Sequence, residues 1–191
     1  MPAHRLPDLP GRLAIPVEHF NAASEEDLER ALLSCLRSHR WAGRVADHRP
    51  YPDLDSLLAA ADEAAYDLGW PDLTEALAAE PLPALPPDTY AAAHTALSAA
   101  HAAYEARFGH VFVICLDGVS PSETLDRLLE AIRSRLTNDP EEERTVVADE
   151  LRRLAKERLV GALRGRGTAR SATANPHPAD NGKSHLRSRR G

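Results

Sequence analysis

A chain of 191 residues is long enough for one domain with a real core and too short for two of ordinary size. Hydrophobic residues at 43% beside 27% charged describe a globular protein; no apolar run approaches a membrane span and no signal-like segment opens the chain, so the reading is a cytoplasmic protein without a membrane partner. The net charge of −6 hides an asymmetry: from Arg164 to Gly191 there are seven basic residues and one acidic, leaving 16 basic against 28 acidic in the body, which disfavours nucleic acid as the main ligand.

Aromatic residues make up only 5%, alanine is abundant, and glycine and β-branched residues are sparse, which points to close helix packing and away from an all-β fold. In chain order, 1–14 is proline-containing and aperiodic and reads as a flexible arm. Ser24 then caps EEDLERALLSCLRSH, whose Leu28, Ala31, Leu32, Cys35, Leu36 and His39 fall on one helical face. A second helix is expected from Asp53 to Leu68, stopped by Gly69, and a third opens with Pro71 in its first turn and ends near Glu80. The segment PLPALPP over 81–87 holds four prolines and excludes both a helix and a central strand.

From Asp88 a long helix is expected to run to Phe108. GHVFVICLDG, at 109–118, is short, apolar and bounded by glycines; with no second strand to pair with, it reads as an extended buried connector. Ser120, Pro121 and Glu123 have the pattern of a cap, first-turn proline and capping-box acid for a helix carrying Leu125, Leu128, Leu129, Ile132 and Leu136. Asp139 and Pro140 open the last helix, with Val147, Leu151, Leu154, Arg158 and Ala162 along one side. The expected fold is therefore all-α: a single-domain bundle of about six to eight helices over 15–164, with one extended buried connector and a disordered basic tail over 165–191.

Cys35 and Cys115 lie far apart in apolar surroundings and read as free thiols in a reducing compartment. Among nine histidines, His94 and His101 stand two helical turns apart, which is not the spacing of a chelating pair. No HExxH, CxxC or glycine-rich phosphate loop occurs, so no metal or cofactor is expected. Glu80, closing ALAAEP beside a helix-breaking proline, is undecided on local grounds between a solvated helix end and a chemical group.

The stretch YEARFGHVFVICLDG resembles the YxxRFGFPFVI signature of the 2-oxo-4-hydroxy-4-carboxy-5-ureidoimidazoline (OHCU) decarboxylases, which act in the last step from urate to (S)-allantoin. Similarity continues through FNAASEEDLERALLSCLRSHRWAGRVADHRPYPDLDSLLAAADEA, GWPDLTEALAAEP, LDRLLEAIRSRLTNDPEEE and ELRRLAKERL, and covers roughly residues 15–163. The resemblance implies an all-helical fold, a homodimer, and cofactor-free decarboxylation of a small ureide-type substrate. It implies a His-Pro pair for proton handling, a downstream Ser/Glu/Gln cluster, an arginine after the FGFPFVI segment to hold anionic substrate, and backbone groups of that segment in the pocket.

This chain departs from that pattern at the charged positions. Glu80 stands at the histidine, with Pro81 keeping the proline; the cluster region is cut to PLPALPPDTY; and Asp117 stands at the arginine. Phe108, Gly109 and Phe112 persist, while His110 and Val111 replace phenylalanine and proline. The resemblance thus marks Glu80 as the catalytic candidate and Pro81, Phe108, Gly109, Phe112 and Asp117 as substrate-binding candidates. Two functions follow: a decarboxylase of ureide metabolism acting on OHCU or a related ring, or a catalytically inactive paralogue that keeps the fold as a binding or dimerisation module.

Overall fold

The structure, a computed structural model, describes residues 17–86 and 89–164; the expected arm over 1–14 and the basic tail over 165–191 lie outside the described residues, and the long helix expected from Asp88 starts at Ala91, after the non-helical Thr89 and Tyr90. Eight helices and no strand occur among the described residues: α1 Val17–Ala22, α2 Glu25–Cys35, α3 His39–Asp47, α4 Leu54–Tyr66, α5 Trp70–Ala78, α6 Ala91–Phe108, α7 Thr124–Arg135 and α8 Pro140–Leu163. None is long and apolar enough to cross a membrane.

The capping side chains start α2, α4 and α8 where the sequence places them. Ser24 accepts from the Asp27 amide, Asp53 from that of Ser56, and Asp139 from those of Glu141 and Glu142, each answering amides that a helix start leaves without partners. The single helix expected through His39 is instead two. Leu36 turns extended (φ −144°), and the buried Ser38 side chain accepts from the Trp41 amide to start α3. That break lets Trp41 enter the core fully and donate its indole N–H to the Ala61 carbonyl at 2.9 Å, while Ala31 and His39 stay exposed.

Gly69 does not stop α4, which already ends at Tyr66. At φ −78° it caps α5, where its amide donates to Asp72 at 3.0 Å. Helix α7 starts at Thr124, later than the Ser-Pro-x-Glu pattern suggests. The Glu123 amide donates to the Ser120 carbonyl at 3.1 Å, so residues 120–123 close a tight turn rather than the first turn of the helix.

Two apolar cores result. One gathers Leu28, Leu32, Trp41, Val45, Leu57, Ala61, Leu73, Leu77, Val147 and Leu151 from α2–α5 and α8; the other gathers Leu97, Tyr104, Leu128 and Ile132 from α6 and α7 with Leu85. The connector runs between them with the two-residue periodicity of extended chain. Val111, Val113 and Cys115 face the first core, while Phe112, Ile114 and Leu116 face the second. Its backbone is bonded by side chains in place of a partner strand: Arg135 donates to the Val113 carbonyl at 2.6 Å and the Cys115 amide donates to Glu150 at 2.7 Å. Gly109 (φ 76°) and Gly118 (φ 78°) supply the left-handed turns at its two ends.

Candidate active site

Helix α5 ends at Ala78, and the amide of Glu80 still reaches back to the Leu77 carbonyl at 3.2 Å before Pro81 stops the turn. This places Glu80 inward, with its side chain only 3% exposed. Its partner comes from the far end of the chain. Arg158 of α8 donates from Nη1 to Oε2 at 3.1 Å and from Nη2 to Oε1, a two-point guanidinium–carboxylate pair. Nη1 also donates to the Cys35 carbonyl at 3.1 Å, so Arg158 caps the C-terminal end of α2 as well. The Glu80 hydrogen bond raises the proton affinity of the Arg158 guanidinium further, and it stays charged at every working pH.

Arg158 is 29% exposed and forms part of the wall of an open cleft of about 900 Å³. The cleft lies between the end of α2 (Ser34, Cys35), the end of the connector (Cys115, Asp117) and the last turns of α8. Arg153, Lys156, Arg158 and Arg164 give it positive character, against Asp117 and Glu157. Burial pushes the Cys35 thiol up to about 11 and also raises that of Cys115, so both stay protonated near neutrality and neither is poised as a nucleophile. Among the described residues no group of three or more His, Cys, Asp or Glu is placed to hold a metal, and no histidine lines this cleft. What the arrangement offers is a cationic recess for a small anion, with a carboxylate enclosed behind one of its arginines.

The family model for OHCU decarboxylase matches residues 21–160. The chain belongs to the OHCU decarboxylase family. Two solved structures share its fold. One, a crystal structure of (S)-allantoin synthase, has a TM-score of 0.61 at 18% identity, covering 76% of this chain and 53% of that one. The other, OHCU decarboxylase in the presence of (S)-allantoin, has a TM-score of 0.60 at 23% identity, covering 69% of this chain and 96% of that one. The chain therefore spans about half the length of the first and nearly all of the second. No curated protein sequence matches the chain.

In this member of the OHCU decarboxylase family the marked positions do not all converge. Asp117 lines the cleft, exposed, and Glu80 lies behind the Arg158 wall. Pro81 is exposed beside Glu80 in the chain and does not line that cleft. Phe108 and Gly109 line a separate recess of about 370 Å³ with Trp70, His110 and Arg144. Phe112 is fully buried in the second core, under the Arg135 guanidinium at 4.6 Å. His94 is exposed and His101 is buried against Phe112, its Nε2 without a partner among the described residues.

Sequence reasoning missed Arg158 as the counter-ion of Glu80. A signal was present: it is the one charged residue on the otherwise apolar side Val147, Leu151, Leu154, Arg158, Ala162, and an arginine on such a stripe implies a buried acceptor.

Proposed function

We propose that this chain is an OHCU decarboxylase-like protein whose small-molecule site is the cleft between α2, the connector and α8, with the Glu80–Arg158 pair as its charged centre. The proposed reaction is the cofactor-free decarboxylation of a ureidoimidazoline to (S)-allantoin in urate catabolism, or the same step on a related ureide-type substrate. A homodimer in the cytoplasm is the proposed setting. The observation that carries this reading is Arg158: a guanidinium on the wall of a cationic cleft, backed by an enclosed carboxylate at the end of α5.

In such a decarboxylation the substrate carboxylate leaves as CO2 and its bonding electrons pass into a conjugated carbonyl system. Fixed positive charge beside the developing anion lowers the barrier, and an acid must then protonate the carbon. Arg158, with Lys156 and Arg153 on the same wall, supplies the charge, and Glu80 is the candidate acid. Asp117 brings a negative charge to the rim and repels an anionic substrate there.

One observation favours the inactive paralogue as a second reading: both Glu80 oxygens are taken by Arg158, and Glu80 does not line the cleft.

The two readings separate in one experiment. The substrate is generated in situ from urate by urate oxidase and hydroxyisourate hydrolase, this protein is added, and chiral allantoin is followed by circular dichroism. The decarboxylase reading expects (S)-allantoin to form well above the spontaneous rate and Glu80→Gln to remove that excess. Formation at the background rate leaves the inactive paralogue, and an active Glu80→Gln variant excludes Glu80 as the acid.

A further inference from the structure

The Glu80–Arg158 pair raises a problem for any anionic substrate, because the guanidinium that should receive a carboxylate already holds one. We propose that this site works by carboxylate exchange: the substrate carboxylate replaces Glu80 on Arg158, and the displaced, still enclosed Glu80 takes up a proton and becomes the acid that protonates the product. This rests on the small-molecule site proposed above and specifies how that site admits and processes a carboxylated ureide.

Three observations carry it. Arg158 reaches the cleft whereas Glu80, with its side chain 3% exposed, does not line it, so an incoming anion meets the guanidinium first. The bond from Nη1 to the Cys35 carbonyl at 3.1 Å does not involve Glu80, so Arg158 keeps an anchor when its carboxylate partner changes. Directly about the pair stand Cys35 of α2 and Glu157 of α8, and the cleft that Arg158 faces adds Cys115 and Asp117 of the connector end with Arg153, Lys156 and Arg164, whereas among the described residues Arg158 alone bonds the Glu80 carboxylate. Cys35 remains a neutral thiol, and Glu157, a like charge, cannot replace Arg158 as counter-ion. A carboxylate enclosed in protein without its cation is strongly disfavoured, and uptake of a proton relieves this.

The step balances without any further reactant. Substrate carboxylate binds Arg158, and Glu80 takes one proton from solvent. The bond between carboxylate carbon and ring carbon breaks, CO2 departs, and the electron pair remains in the conjugated carbonyl system. The Glu80 carboxylic acid then gives its proton to that carbon. The product carries no carboxylate at this position, so Glu80, ionised again, returns to Arg158 and the site resets. Each CO2 released consumes one proton, as the overall decarboxylation requires.

The test uses allantoate, a stable ureide that carries a carboxylate, and neutral allantoin as control. Binding is measured by titration calorimetry at pH 7 in two buffers of different ionisation heat, which yields the protons taken up per ligand bound. Wild-type protein is expected to take up about one proton per allantoate and none with allantoin. Glu80→Gln, which has no carboxylate to displace or protonate, is expected to bind allantoate about tenfold more tightly with no uptake.

Allantoate binding to the wild type without proton uptake overturns the exchange, as does equal affinity in a folded Glu80→Gln variant. Binding to the variant alone shows a pair that carboxylates cannot open, and binding to neither removes the site; both also overturn it. If Glu80→Gln does not fold, the wild-type proton count decides alone. Proton uptake in a protein that forms no (S)-allantoin above background would sink the decarboxylase reading and leave the exchange standing.

Discussion

Two acidic side chains are buried among the described residues, Glu80 and Glu143, and each is held by an arginine, with different consequences. Glu143 is fully enclosed, bonded by Arg135 Nε at 2.8 Å, Asn138 at 2.8 Å and the Tyr104 hydroxyl, and it does not line the cleft that Arg158 faces. Burial first, and the Glu143 hydrogen bond second, push the Tyr104 phenol well above its ordinary range, so Tyr104 remains a donor. That network is structural. Arg135→Met would strand an enclosed charge and should lower stability by about 3–5 kcal/mol, read as a shift of the urea midpoint.

His101 is the other buried polar residue with a readable consequence. Burial lowers its pKa from 6.5, with Glu105 opposing, so the folded chain keeps the imidazole neutral where the unfolded chain binds a proton. Stability is then complete above about pH 6.5 and falls as pH drops below that value toward the folded-state pKa. His101→Leu should flatten this acid limb in urea melts between pH 7.5 and 5; an unchanged slope would place the effect elsewhere.

At the scale of elements, the sequence predicts a helix start where the cap is a single polar side chain that acts within one turn, and misses the starts of α3 and α7. Ser24, Asp53 and Asp139 each accept from amides in the turn they open. Helix ends are read less well where no residue forces them: α2 and α4 end at Cys35 and Tyr66 without glycine or proline. Gly109 is a forced end, at φ 76° with its amide donating to Glu105 at 2.8 Å. Nothing lies within 4 Å of where its Cβ would stand, so Gly109→Ala meets backbone strain alone. A cost of about 1–2 kcal/mol is expected in thermal or urea unfolding. A much larger loss would mean that the connector, and not only the turn, depends on this position.

For the whole molecule, the connector packs against both helical cores, which predicts that they unfold as one unit. Its alternate residues enter opposite cores, and its backbone groups are taken by Arg135 of α7 and Glu150 of α8. Phe112, fully buried and enclosed by Tyr104, His101 and the Arg135 guanidinium, is its deepest insertion into the second core. Phe112→Ala should cost about 3–5 kcal/mol. It should do so in a single transition seen alike by far-ultraviolet circular dichroism and tryptophan fluorescence. Both tryptophans, Trp41 and Trp70, pack with the first core, so separate transitions by the two probes would show that the cores unfold independently.

The sequence alone determined the all-helical class, the caps that open α2, α4 and α8, the extended buried connector and the family resemblance. All of these are carried by local chemistry or by residue order. It could also single out Glu80, because a carboxylate stands where the resemblance implies a histidine. It could not show what Glu80 meets, since Arg158 lies 78 positions along the chain and reaches it only through the packing of α8 over the ends of α2 and α5. Nor could it separate Asp117, at the cleft, from Phe112, sealed in the core five residues earlier. Tertiary structure decided these points because ion pairing and enclosure depend on proximity in space, which sequence spacing does not encode.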